Sequence, residues 1–206
     1  MSKDNEPSMD DIQYHYDKTK EDINKHGHSI KGVVDGKGHL ERPLAYSIGA
    51  SLTTGYEFVS FFPIKNKGLS IVARVINKII DLIKYNKFEV GSKIINDEDI
   101  YYLPVVMYVL KDFEKEAVES NWARQLERDG FLSEFSTDNH QLVCLMFTDK
   151  NGNLPWDSKC ENFWPDICPL PFLASAEYEI TGNDNLMRKA EDDLGLKWNP
   201  KQGVLH

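Results

Sequence analysis

Residues 56–62 read Tyr-Glu-Phe-Val-Ser-Phe-Phe, a run too nearly apolar for a strand with one wet face. Such a run asks for cover on both sides, as the central strand of a layered domain receives. The next regular segment is a helix with one wide apolar stripe. Leu69, Val72, Ile76, Ile79, Ile80 and Ile83 recur at helical spacing over about four turns. Arg74, Asn77, Lys78, Asp81 and Lys84 occupy its opposite face. A strand buried on both faces beside a one-sided helix confines the chain to layers of helix and sheet.

Turn signals divide the rest. Ile12, Tyr16, Thr19 and Ile23 predict a helix over 8–25, with Ser8 as its cap and Asp10 and Asp11 at the positive end of its dipole. Gly27 stands where a left-handed residue ends such a helix. Residues 1–7 are expected to be a disordered lead. Residues 28–34 read as a strand and 35–38, Asp-Gly-Lys-Gly, as a tight turn. The returning strand carries Leu44, Tyr46 and Ile48 on one face by period two, and Thr54-Gly55 is a further turn. Strands are expected at 92–95, 101–110 and 141–147. A second long helix opens at Asp112 and ends before Gly130, with Val118, Trp122 and Leu126 on its inner face.

Beyond Asn153 the chain turns rich in Pro and Trp, with Pro155-Trp156, Trp164-Pro165, Pro169 and Pro171, which reads as an irregular covering segment. Residues 174–206 read as a C-terminal appendage with one helical stretch at 185–193. The expected organisation is a single α+β domain over 8–173. Its sheet is mostly antiparallel, with two long helices packed on it. Its short, Gly-interrupted strands could also let the sheet curl toward a barrel.

Bulk composition narrows the function classes. The 206 residues are 41% hydrophobic and 28% charged, ordinary values for a globular chain. Lys and Arg number 24 against 33 Asp and Glu, a net charge of −9, which disfavours a general nucleic-acid-coating role. No apolar run approaches the ~20 residues of a membrane span. The start of the sequence lacks the apolar core of a signal peptide. Cys144, Cys160 and Cys168 form no even framework, so free thiols in a reducing cytoplasm are expected.

Two motifs stand out. The first is Arg42-Pro43-Leu44-Ala45-Tyr46-Ser47-Ile48-Gly49; the second, about a hundred residues later, is Asp149-Lys150-Asn151-Gly152-Asn153-Leu154-Pro155-Trp156. Together they resemble a bacterial family known only as a domain of unknown function. That family carries a Pro-x-x-Tyr-Thr-x-Gly-Leu-like segment, a long helix, a Trp in a second helix, and a strand ending in Asp-x-x-Gly-x-x-Pro-Trp. Pro43, Tyr46 and Gly49 match the first motif, with Ser47 in the Thr place and Ala50 in the Leu place. Asp149, Gly152, Pro155 and Trp156 match the second, and Trp122 fits the helix. The resemblance spans about 26–156. It implies a domain and no established activity, so no catalytic residue carries over.

The candidate ligand contacts are therefore Tyr46, Ser47, Gly49 and His28 around the first hairpin, with Asp149 and Trp156 at the second motif. A glycine at a strand end lets a ligand approach the backbone. Each also has an architectural role: Gly49 as a bulge, Tyr46 as a core ring, Asp149 as a turn cap and Trp156 as a plug. His26 and His28 lie at i and i+2, and Asp35 or Glu41 could complete a metal site, but the spacing matches no ligand signature. Cys160 and Cys168 are too far apart in sequence for a zinc pair. Nucleophile-elbow, dinucleotide and phosphate-loop patterns do not occur. Lys65, Lys67, Arg74, Lys78, Lys84 and Lys87 make the long helix locally basic, which suits an acidic partner or plain solvation.

The sequence thus suggests a small-ligand- or protein-binding module of bacterial or phage origin, conceivably in a conflict or defence system. The alternative is a cofactor-dependent enzyme, flavin-like or metal-bearing, centred on the first hairpin. A homodimer packed through the 174–206 tail is a further expectation.

Overall fold

The computed structural model describes residues 9–33, 44–61, 68–98, 100–107, 135, 141–161, 168 and 170–194. In chain order the elements are α1 (Met9–His26), β1 (Ser29–Val33), β2 (Leu44–Ile48), α2 (Ser51–Thr54), β3 (Tyr56–Phe61), α3 (Gly68–Lys84), β4 (Ile95–Asp97), β5 (Ile100–Val106) and β6 (Gln141–Phe147). Two helices close the described chain, α4 (Leu170–Thr181) and α5 (Asn185–Leu194). The expected second helix from Asp112, the 35–38 turn and the 1–7 lead lie outside the described residues.

The six strands form one sheet in the order β1-β2-β3-β6-β5-β4. Every neighbouring pair is antiparallel except β3 and β6, which run parallel at the centre. The mixture of helices with a mostly antiparallel sheet is therefore the architecture. The sheet is open, with β1 and β4 as its edges among the described residues, so the curl does not proceed to a closed barrel. Short antiparallel triplets on either side of one parallel pair leave nothing to join edge to edge.

Register assigns the two faces. Val59 of β3 pairs with Cys144 of β6, and Cys144 with Val105 of β5, so these three side chains share a face with Phe61, Met146 and Leu103. Phe61 meets Phe172 of α4 edge-on, ring centroids 4.9 Å apart, which places α4 over that face. Phe58, Ser60, Val143, Leu145 and Tyr102 point the other way. Arg74 of α3 reaches Asp97, which shares that second face with Tyr102, at 3.2 Å. So α3 covers the second face. Its Val72, Val75, Ile76, Ile79 and Ile80 are buried there, and the small pair Ala45 and Ser60 lies on the same face of β2 and β3.

The centre of the sheet is accordingly dry on both sides. Phe58, Val59, Val143, Cys144 and Tyr102 are each at most 1% exposed. Complete burial of a Phe or Leu side chain stabilises by roughly 1.5–3 kcal/mol, so these two central strands anchor the molecule.

The C-terminal part differs from the irregular segment that Pro169 and Pro171 suggested. Pro171 is the second residue of α4, in the first turn, where a missing N–H costs nothing. Helix α4 runs across residue 173, the expected start of an appendage. Phe172, Leu173 and Ala176 belong to the main core, while Ala174 packs with Met187 and Ala190 of α5. The smaller 185–193 helix is present as α5. Strand β4 begins where the expected 92–95 strand ends, and Thr54-Gly55 closes a one-turn helix with Gly55 in the left-handed region (φ 79).

Candidate functional site

The two motifs occupy opposite ends of the sheet. Strand β2 runs against β3, so Gly49 lies beside the start of β3, whereas Asp149 follows the end of β6, which is parallel to β3. A seven-residue strand separates those ends by about 20 Å. Tyr46, Ser47, Gly49 and His28 therefore do not share one pocket with Asp149.

At the first end the organising group is Glu57, which the sequence reading did not single out. It is the lone acid within β3 and is 2% exposed. One carboxylate oxygen accepts the Ser47 hydroxyl at 2.5 Å; the other accepts the backbone N–H groups of Gly49 and Ser51, each at 3.0 Å. Ser47 Oγ in turn accepts the Phe58 N–H at 2.8 Å. The β2–β3 register runs from Leu44 to Tyr46, and the serine hydroxyl supplies the next link in its place. The carboxylate thus caps the start of α2, where the Ala50 side chain offers no bond of its own.

Gly49 follows from the same geometry. Its φ is +84°, and a Cβ there would come within 3.2 Å of two side-chain carbons of Ile23 on α1. The motif glycine is required twice over, by backbone conformation and by the close approach of α1. Tyr46 lies in the core at 5% exposure. His28 is half-buried, and its Nε2 donates to Asn77 Oδ1 of α3 at 2.6 Å, tying the α1–β1 junction to the helix above the sheet.

At the second end Asp149, 2% exposed, gathers four donors. Oδ1 accepts the N–H groups of Asn151 (2.8 Å) and Asn153 (2.9 Å); Oδ2 accepts the Asn153 side-chain amide (2.8 Å) and the Glu161 N–H (3.2 Å). Burial alone would push this carboxyl up. The bonds from Asn153, Glu161 and Asn151 together outweigh it and hold the group down at about 2. The segment 149–161 therefore closes on one carboxylate. Inside it, Leu154 N–H bonds Asp157 and Cys160 N–H bonds the Asp157 carbonyl. Trp156, with Leu154 and Cys160, is partly buried against the main core.

Sequence logic found Ser47, Gly49 and Asp149 but missed Glu57. One signal was available: an acid inside a strand buried on both faces must have several donors. Among the described residues no three His, Cys, Asp or Glu side chains come together to hold a metal ion. His39, His140, Asp35, Glu41, Lys65 and Lys67 lie outside the described residues. Among the described residues, no helix is long and apolar enough to cross a membrane. No protein-family model matches the chain, and neither a curated protein nor a solved structure matches it.

Proposed function

We propose that the chain is a binding module, recognising a small ligand or a protein partner through loops at the ends of its sheet. One observation carries this reading. The polar side chains of both motifs, Ser47 with Glu57 and Asp149 with Asn153, are spent on backbone N–H groups that shape loops. Preorganised loops suit recognition, because little ordering entropy is left to lose on binding. In this reading the protein works in the cytoplasm of a bacterium or on behalf of a phage, with its cysteines as thiols. It also keeps the resemblance to the domain-of-unknown-function family as a proposed kinship.

The test is native mass spectrometry of protein purified from cells, compared with a denatured sample. The module reading expects a bare chain or a complex with a small ligand or second protein that dissociates reversibly. A flavin or metal that co-purifies, with loss of that group on substitution of Tyr46 or His28, would replace the module by a cofactor enzyme at the first hairpin.

A further inference from the structure

Two thiols meet in the core. Cys144 lies in the middle of β6 and is fully buried; Cys168, 2% exposed, stands two residues before α4. The Cys144 thiol hydrogen-bonds the Cys168 sulfur, so the two sulfurs touch between the sheet and the entry to α4. The third thiol, Cys160, is only partly buried, at the rim of the same core.

We propose that Cys144 and Cys168 form a reversible covalent latch, in which oxidation by a low-molecular-weight disulfide joins them and ties the start of α4 to the central strand β6. The exchange balances. One cysteine loses its proton and attacks the reagent, giving a mixed disulfide and releasing one reagent thiol. The second cysteine displaces the other half, forming the Cys144–Cys168 bond and releasing a second reagent thiol. Two protein S–H bonds are lost and one S–S bond is made; the reagent's S–S bond is reduced by the same electron pair. Burial, with the bond to Cys168, pushes the Cys144 thiol well above its ordinary range, so Cys144 is the poorer first nucleophile. Both sulfurs are covered, and reagent reaches them only when α4 opens away from the sheet. The latch therefore records that opening and then prevents its recurrence.

The experiment treats the native chain with oxidised glutathione, blocks remaining thiols after denaturation, and maps peptides without reductant. The expected product is a peptide joining Cys144 to Cys168, lighter by two hydrogens and lost on adding dithiothreitol. Its formation raises Tm by roughly 5–10 °C, since the bond closes a loop of about 25 residues. Cys160→Ser forms the same link with the same shift. Recovery of Cys144 and Cys168 as blocked thiols, or as separate glutathione adducts, overturns the latch. So does a link that uses Cys160, or one that forms only in denaturant.

Discussion

A buried carboxylate that holds three donors makes each of them dependent on the others. Ser47→Ala removes a hydroxyl that both serves Glu57 and receives the Phe58 N–H. Glu57→Gln removes one acceptor and puts an amide where Gly49 and Ser51 donate. Each change leaves buried groups unmatched and is expected to cost about 1–3 kcal/mol. The double variant is expected to lose less than the sum, with a coupling of about 1 kcal/mol or more, read from denaturant midpoints in a four-member cycle. Additive losses would mean that the contact carries no energy of its own. Gly49→Ala should cost more than Gly55→Ala. Both positions have positive φ, but only the first would press a Cβ on Ile23.

Asp149 gives the residue scale its pH dependence. Its folded value of about 2 lies below the ordinary ~3.9 of an unfolded aspartate. A depressed acid contributes stability that is fully present above about pH 4 and is lost as pH falls toward 2. Asp149→Asn is therefore expected to be less stable than the parent at neutral pH, with the two curves converging as pH drops from 4 to 2. Urea unfolding at stepped pH measures it; parallel curves across that window would remove Asp149 from the acid transition.

Elements were legible in the sequence where a local pattern fixed them. Strand β6 spans the 141–147 expected from its apolar run, and β3 is buried on both faces as its composition demanded. The α3 stripe faces the sheet. Two things were not legible. Pairing of β3 with β6 joins residues some eighty positions apart, and period-two patterning says nothing about which strand lies beside which. Helix α4 was hidden because Pro169 and Pro171 read as breakers, although proline is harmless in a first turn. The structure makes that helix a wall of the core, and Phe172 is its deepest ring. Phe172→Ala removes the partner of Phe61 and is expected to cost about 3–5 kcal/mol, measured by equilibrium unfolding. A loss below about 1 kcal/mol would mean that α4 merely lies on the surface.

On the scale of the whole molecule, the two carboxylate knots sit at opposite ends of a sheet whose centre is dry on both faces. The helices α3 and α4 are what keep it dry. They do not contribute alike to the chain's autonomy, because α4 is shared between the main core and the small cluster it makes with α5. Buried Glu177 binds the two helices together, accepting the Leu186 N–H and the Asn183 side-chain amide, each at 3.2 Å. Two truncations separate the roles. A chain ending at residue 183 keeps α4 and loses α5, and it is expected to unfold cooperatively with a lowered midpoint. A chain ending at residue 169 uncovers Phe61, Cys144 and Val105 together, an apolar face too large for water to tolerate in a folded monomer. It is expected to lose its cooperative transition and to bind a hydrophobic dye strongly. If the shorter chain instead melts sharply without dye binding, the domain ends before α4 and the last two helices are an accessory hairpin. If both truncations lose cooperativity, the α4–α5 contact is itself part of the folding unit, and the boundary of the domain moves to the end of α5.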